Sequence, residues 1–573
     1  MKNTKKTGTI SGIREKCPIN KHAWMVFLLM GLIWQSHYPA YSNSQDINKY
    51  WIGFVDKKNN GFSLDNPSAF LSERAVNRRQ QQNIPLVPND LPVSRQYIDS
   101  LKQLNISYHY ASKWLNGIIC GIQDSALIHQ IKNISFVKEV RWVYNPSMTK
   151  SLKKRIDYQQ LTNHFFNEHF DYGQSKAQIE LVNGISLHSL DYLGEGKLIA
   201  VLDAGFYKVN EIASFDSLWQ NHQITGTKDF VDVDNEVFDS HPHGMMVLSI
   251  MAGFDNGQLI GTAPKADYLL IRTEDASSEH LIEEYNWLRG AEYADSAGAD
   301  IINSSLGYTE FDYAGFDHTY ASLDGNTTIV TRAADMAASK GMLVVNSAGN
   351  EGNDPWKHIV APADGDSVLA VGAVDANGDI AVFSSYGPRV DRVVKPNVLA
   401  VGYGNYIQRN ENSYSLGYGT SFAAPIIAGM SACLWQAFPE LSNMNMFTTI
   451  EQSGSHYFFP GERMGYGIPD FNLAYEVLNK YHQKPPNTFE FEVFPTIFDN
   501  DLNIRIYAGE GETFTLQIYT LNGRKIYNHE AKMTSEVIHT LRINNLQDLS
   551  SGIYVIQLIG DGRYSSKKIL KIP

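Results

Sequence analysis

The middle of this sequence predicts an α/β fold, a doubly wound parallel sheet covered by helices on both faces, from two observations. First, five short β-branched runs are apolar nearly throughout: Lys197 to Leu202, Tyr268 to Arg272, Asp300 to Ser304, Met342 to Asn346 and Val368 to Val374. Such runs suit strands buried on both faces. Second, the helical stretches Gly244 to Ala252, Ser277 to Ser296 and Thr331 to Lys340 lie between them. Strands alternating with helices build a parallel sheet. Residues 179–481 are assigned to this domain.

Ahead of it, residues 1–42 read as an export signal. Lys2, Lys5, Lys6, Arg14, Lys16 and Lys21 precede the apolar run Ala23 to Trp34 and then Ala40-Tyr41-Ser42, the charged, apolar and small-residue order of such signals. A retained anchor is the lesser alternative, because a spanning helix needs roughly 20 apolar residues. Residues 43–150 form a small α+β unit. Its expected elements are a strand at Tyr50 to Val55, a basic helix at Pro67 to Gln82, a helix at Ser94 to Leu104, a strand at Trp114 to Ile122 and a helix at Ala126 to Lys132. Residues 151–178 follow as a polar linker that would suit proteolytic processing; an ordered surface segment fits the composition equally well.

Residues 482–488, with Lys484-Pro485-Pro486-Asn487, read as a second linker. Beyond it Phe489 to Phe494, Leu502 to Tyr507, Thr513 to Thr520, Val537 to Ile543 and Ile553 to Leu558 alternate as strands, with Asn522-Gly523 and Asp561-Gly562 as turns. That spacing predicts a small all-β sandwich over 489–573.

Composition narrows the functional classes. The chain has 573 residues, 43% hydrophobic and 19% charged, which are globular values and fit neither a disordered nor a polytopic membrane protein. A net charge of −13 argues against nucleic acid as a partner, because phosphate affinity rests on clustered Lys and Arg. The three cysteines, Cys17, Cys120 and Cys433, fall in three different segments, so no disulfide closes within one of them. Cys433 lies in the apolar run Met430 to Trp435, where a thiol is inert.

Four residues stand where an open parallel sheet gathers its reactive groups, at the carboxyl ends of strands and the starts of helices. Asp203 follows the strand ending at Leu202, and His243 opens an apolar helix. Ser421 precedes Ile426 to Trp435, a stretch apolar almost all round, and Asn350 closes Asn346-Ser347-Ala348-Gly349-Asn350. Taken singly, each has a commoner explanation as a cap, turn or packed residue. Taken together, they supply an acid to orient a base, a base to take a proton, an alcohol to attack and an amide to stabilise an oxyanion.

The motifs around these residues resemble the subtilase family of serine peptidases over about Gly194 to Ala474. Asp203-Ala204-Gly205, His243-Gly244 and Gly419 to Pro425 match its three catalytic motifs in order. Gly261-Thr262-Ala263-Pro264, Asn303 to Gly307, Ser347 to Asn350 and Phe383 to Gly387 match further motifs. The resemblance implies a subtilisin-like catalytic domain and a secreted serine endopeptidase that acts through an acyl-enzyme. Asp203 would orient the imidazole, His243 would be general base and then acid, Ser421 the nucleophile, and Asn350 part of the oxyanion hole. Ser305, Leu306 and Gly307 would line an extended peptide or protein substrate. Two departures stand out: Ala204 replaces a usual Ser or Thr, and Met245-Met246 replaces a usual Thr-His pair.

Asp46 to about Pro146 resembles the propeptide of Bacteroidetes-type subtilases, at Phe70 to Ala75 and Ser112 to Asn116, which implies a folding aid and temporary inhibitor. The C-terminal unit, with Leu521-Asn522-Gly523, Ser551 to Tyr554 and Lys567-Lys568-Ile569, resembles the sorting domain of type IX secretion. That likeness implies export through the periplasm, the secretion machinery as a partner, and a secreted or cell-surface location. The expected chemistry requires no cofactor. Acid-rich segments such as Asp232 to Glu236 offer calcium ligands but lack the glycine punctuation of a calcium loop, and His241-Pro242-His243 finds no further ligand for zinc. Two other readings stay open: a catalytically silent surface or binding protein that keeps the fold, and an α/β-hydrolase esterase. The esterase is disfavoured by the residue order and by the lack of a Gly-x-Ser-x-Gly elbow.

Overall fold

The computed structural model describes residues 47–148, the backbone of 158–159, and residues 170–483, 489–507, 513–532, 539–560 and 562–573. The expected export signal and the Lys484 to Asn487 linker lie outside the described residues, as does most of the polar stretch 151–169.

Seven parallel strands form the main sheet, in the spatial order Val398–Val401, Val368–Val374, Leu343–Ser347, Ile301–Ser304, Leu198–Asp203, Asp267–Arg272, Ile224–Asp229. Five of these are the five runs expected from sequence. Alternate residues of a strand point to opposite faces, which explains why one strand feeds two cores. Ile199 and Val201 join the cluster formed with the His243–Ala252 and Thr420–Ala437 helices, whereas Leu198, Ala200 and Leu202 join the one formed with Ile282–Ala297 and Ile329–Ser339. The fold is thus the expected doubly wound α/β sheet. From Leu198–Asp203 the chain first builds outward on one side and then returns to build on the other. The switch point falls at the carboxyl ends of Leu198–Asp203 and Ile301–Ser304, where such sheets place their sites.

Sequence reading missed two edge strands. Ile224–Asp229 carries Thr225, Thr227, Lys228 and Asp229 and has no apolar run; Val398–Val401 has only four residues. The helix expected from Ser277 begins at Ile282. Residues 170–178, read as linker, are packed: Tyr172 is buried and its hydroxyl hydrogen-bonds His188 Nδ1 at 2.8 Å, and a helix runs Lys176–Glu180. The packed unit therefore begins before residue 179, because the aromatic side chains Phe170 and Tyr172 find the core.

The N-terminal unit has a four-stranded antiparallel sheet in the order Ser107–Ser112, Gly117–Gly121, Lys49–Phe54, Val137–Tyr144. The two outer strands were not expected from sequence, since Ser-Tyr-His-Tyr-Ala-Ser and Val-Lys-Glu-Val-Arg-Trp-Val-Tyr carry few buried residues. The predicted strand from Trp114 starts only at Gly117, after a turn in which Asn116 takes a left-handed φ of 57°. This sheet lies on the Ile282–Ala297 helix, with Trp51 stacked on Tyr285 at 5.0 Å.

At the far end of that helix, buried Asp295 accepts from Arg78 at 2.7 Å, Arg79 at 2.8 Å and Lys113 at 2.8 Å. Burial alone would raise the Asp295 carboxyl, but the Lys113, Arg78 and Arg79 cations outweigh it and hold it well below the ordinary carboxylate range. A carboxyl depressed on folding contributes stability above its unfolded pKa of about 4 and loses it as the pH falls further. The full chain is therefore expected to lose thermal stability progressively below about pH 4. Asp295→Asn should flatten that decline in melting scans from pH 6 to 2, and an unchanged slope would remove Asp295 as its cause.

The C-terminal unit packs a three-stranded sheet against a five-stranded one around Phe491, Ile504, Leu516 and Ile556, the expected all-β sandwich. Its strands Lys525–Lys532 and Arg563–Lys571 were missed because charged side chains occupy their outer face.

Candidate active site

Two glycines bring the first pair of residues together. Gly205 takes a φ of +142°, and a Cβ there would lie 2.6 Å from the His241 backbone nitrogen. A Cβ on Gly244 would meet the Gly205 carbonyl at 2.5 Å and the Asp203 Cβ at 2.8 Å. Backbone to backbone, the turn after Leu198–Asp203 and the start of His243–Ala252 are thus as close as they can be. His243 Nδ1 consequently sits 2.7 Å from Asp203 Oδ1, and the Ala204 N–H donates to the same oxygen at 2.7 Å. Asp203 is fully buried, while the imidazole keeps 17% of its side-chain surface. Both sequence departures are accommodated: Ala204 contributes through its backbone, and Met245 and Met246 are buried in the core cluster.

Ser421 stands in the first turn of Thr420–Ala437, a helix buried along almost its whole length. Its backbone N–H has no carbonyl one turn back within the helix to accept it. Pro425 lacks the N–H that would bond the Ser421 carbonyl four residues earlier. The Ser305 hydroxyl takes that place, donating to the Ser421 carbonyl at 2.8 Å. In return the Ser421 hydroxyl donates to the Ser305 carbonyl at 3.3 Å. Ser421 Oγ is therefore not hydrogen-bonded to His243 in this state. The imidazole ring lies 5.9 Å from that of Phe422, the residue after Ser421.

Asn350 faces the same helix start. Its Oδ1 accepts from the Thr420 backbone N–H at 2.8 Å and from the Thr420 hydroxyl at 3.0 Å, and that hydroxyl accepts from the Gly349 N–H at 3.2 Å. Holding the oxygen fixes the amide so that its NH₂ points away from Thr420. Thr420 was quoted within the Gly419 to Pro425 motif but given no role, and its position in that motif was the available signal.

The ladder of Ile301–Ser304 ends at Ser304, so Ser305, Leu306 and Gly307 leave the sheet beside Ser421. The Leu306 carbonyl accepts from Asn346 Nδ2 at 3.0 Å. One residue on, the Tyr308 hydroxyl donates to Glu274, a contact invisible to sequence reading.

The acid-rich segment Asp232 to Glu236, read from sequence as a candidate calcium site but better as a solvated loop, has its carboxylates engaged locally. Asp232 pairs with Arg272 at 2.6 Å, Asp234 accepts from the Glu236 N–H at 2.9 Å and Glu236 from the Phe238 N–H at 2.9 Å. Among the described residues, one acidic group converges instead, the buried Glu274, Glu279 and Glu283, with carboxylate oxygens within 4.8 Å of one another. The Cys433 thiol is buried, donates to the Thr262 carbonyl at 3.1 Å, and is pushed up by burial. It cannot serve as a thiolate nucleophile.

Residues 194–468 match the subtilase family, residues 49–160 the Peptidase S8 propeptide domain of Bacteroidota, and residues 492–572 a secretion system C-terminal sorting domain. Similar curated proteins include subtilisin DY from Bacillus licheniformis, 28% identical over 50% of this chain and 93% of its own length. Subtilisin E from Bacillus subtilis (strain 168) is 28% identical over 57% of this chain and 77% of its own length. A thermophilic serine proteinase from Bacillus sp. (strain AK1) is 31% identical over 49% of this chain and 62% of its own length.

Proposed function

We propose that the chain carries a serine endopeptidase domain of the subtilase family, with its propeptide before it and a secretion sorting domain after it, and that Asp203, His243 and Ser421 form its catalytic triad. The observation that carries this reading is the 2.7 Å contact between His243 Nδ1 and buried Asp203, beside a serine at a helix start.

An alcohol attacks a peptide carbonyl only when a base removes its proton. With Nδ1–H donated to Asp203, His243 presents Nε2 as the acceptor, and a rotation of the Ser421 side chain off the Ser305 carbonyl brings the hydroxyl to it. Attack gives a tetrahedral oxyanion, then an acyl-enzyme as the protonated imidazole donates to the leaving amine. Water repeats the sequence to release the acid. The Ser421 backbone N–H and Asn350 Nδ2 are the oxyanion donors in this reading. Ser305, Leu306 and Gly307 would hold the substrate as an added strand. Nucleophile, base and donors all belong to the chain, so the reaction itself requires no cofactor.

We further assign residues 43–150 as the propeptide that inhibits the folded enzyme, the type IX machinery as the partner of the C-terminal unit, and the cell surface or exterior as the destination. Protein and peptide chains are the substrates.

A fluorophosphonate probe tests the core of the proposal. In processed, casein-hydrolysing protein it should add once, on the peptide containing Ser421, and abolish turnover. An adduct elsewhere, or turnover that survives complete labelling of Ser421, would overturn the assignment. Asn350→Ala is expected to lower kcat by about 10²- to 10³-fold with KM little changed, the usual cost of one oxyanion donor. A KM effect with kcat intact would assign Asn350 to binding instead.

A further inference from the structure

The propeptide lies along the Ile282–Ala297 helix, with Trp51 on Tyr285, Tyr110 on Asn286 and Ser112, Lys113 and Trp114 on Glu292, and its contacts continue past the end of that helix at the edge of the sheet far from the triad. Asp203 and Ser305 stand at the carboxyl ends of Leu198–Asp203 and Ile301–Ser304. A different set of residues precedes the amino ends of the strands: Gly196, Ala299, Asp300, Lys340 and Gly341. A six-residue strand spans about 20 Å, so the two edges are well separated. Residues 67–90 of the propeptide, containing the Glu73–Gln81 helix, bind this far edge.

The contacts there are dense and buried. Ser72 Oγ donates to the Ala297 carbonyl at 2.9 Å, and Arg74 Nε to the Gly298 carbonyl at 3.0 Å. Arg78 donates to the Ala299 carbonyl, to that of Lys340 at 3.2 Å, and to Asp295. The Ala297, Gly298 and Ala299 carbonyls lie at and just past the end of the Ile282–Ala297 helix, and the Lys340 carbonyl just past the end of Ile329–Ser339, ends that favour cations. Arg79 bridges Asp295 of the peptidase domain at 2.8 Å and Asp90 of its own unit at 3.0 Å. Lys340 of the peptidase domain pairs with the same Asp90 at 3.1 Å. Arg78 and Arg79 are 3% and 2% exposed, and Asp295 and Asp90 are fully buried. Inside the propeptide, Lys57 Nζ donates to the carbonyls of Pro88, Asn89, Leu91 and Lys113, which holds the segment in shape.

We propose that this edge is a docking site in its own right for the double-arginine segment, and that it supplies most of the hold on the propeptide, independently of whatever occupies the catalytic cleft. The partner it fits is an amphipathic helix presenting two adjacent arginines, here the chain's own. The inference rests on the assignment of residues 49–160 as a propeptide domain, but not on the triad.

A full-length chain carrying Ser421→Ala, with a recognition site for a sequence-specific protease inserted after Met148, tests it. After that cut, retention of the severed propeptide is followed by size exclusion and mass spectrometry. The parent should retain it, and Arg78→Gln with Arg79→Gln should release it about 100-fold faster, as loss of one side of a buried ion pair implies. Tyr144→Ala, at the triad-facing end where the ring packs 4.6 Å from that of His280, should change release by less than about threefold. Asp295→Asn reads the same contact from the peptidase side and serves where the arginine pair is needed for folding. Retention by both far-edge variants as long as by the parent, or release by Tyr144→Ala as fast as theirs, would overturn the proposal. The chain does no chemistry in this experiment, so failure of the peptidase reading would show separately, as absent turnover in the parent with Ser421 intact.

Discussion

In Ser421→Ala, kcat is expected to fall by about 10⁶-fold while KM and the melting temperature stay close to those of the parent; the magnitude is that of nucleophile removal in subtilisin and is taken over from it. The hydroxyl makes one hydrogen bond, a long one at 3.3 Å to the Ser305 carbonyl, so its loss should cost the fold little. The Ser305 hydroxyl would still hold the residue-421 carbonyl at 2.8 Å, because on the 421 side that contact uses only the backbone. Residual turnover would come from binding and the oxyanion donors, which the substitution leaves in place. The variant should also accumulate as the unprocessed chain if its own activity cuts the junction. Peptide-hydrolysis assays and the mass of the purified chain check both expectations. Parent-like turnover in a preparation free of contaminating peptidase would end the assignment of Ser421.

Asp203→Asn is expected to lower kcat by about 10⁴-fold near neutral pH, the size of the loss when the corresponding carboxylate is amidated in another serine peptidase. The reason is the tautomer. Asp203 Oδ1 accepts from the Ala204 N–H as well as from His243 Nδ1. An asparagine that keeps its oxygen on the Ala204 N–H turns its NH₂ toward the imidazole. Nδ1 must then accept, the ring proton moves to Nε2, and the base can no longer take the Ser421 proton. The geometry would be preserved and the chemistry lost. Stopped assays over pH 6 to 9, with a thermal melt to show the fold intact, test this; a kcat within tenfold of the parent would show that Asp203 does not set the tautomer.

How legible the molecule was in its sequence depends on the kind of residue. Central strands such as Leu343–Ser347 and Val368–Val374 are buried throughout and, apart from Asn346 and Ser347, apolar because both faces are covered, and they could be read directly. Edge strands could not. Ile224–Asp229 and Ser107–Ser112 are for the most part only half-buried and carry polar side chains, which removes the run that announces a strand. In the site, Asp203 and His243 were legible because each abuts an apolar element. Thr420 was not, because its role is to hold the oxygen of Asn350, seventy residues away.

The order of residues by itself determined the α/β class and which acid, base and alcohol were available, since these follow from local periodicity and from motifs a few residues long. Only the tertiary structure decided what those groups touch. It set His243 against Asp203, gave the carbonyl orphaned by Pro425 to Ser305, and matched Arg78 with Asp295 across 217 residues. Such contacts depend on which side chains the folded backbone brings within hydrogen-bond reach, a distance of about 3 Å that sequence separation does not encode.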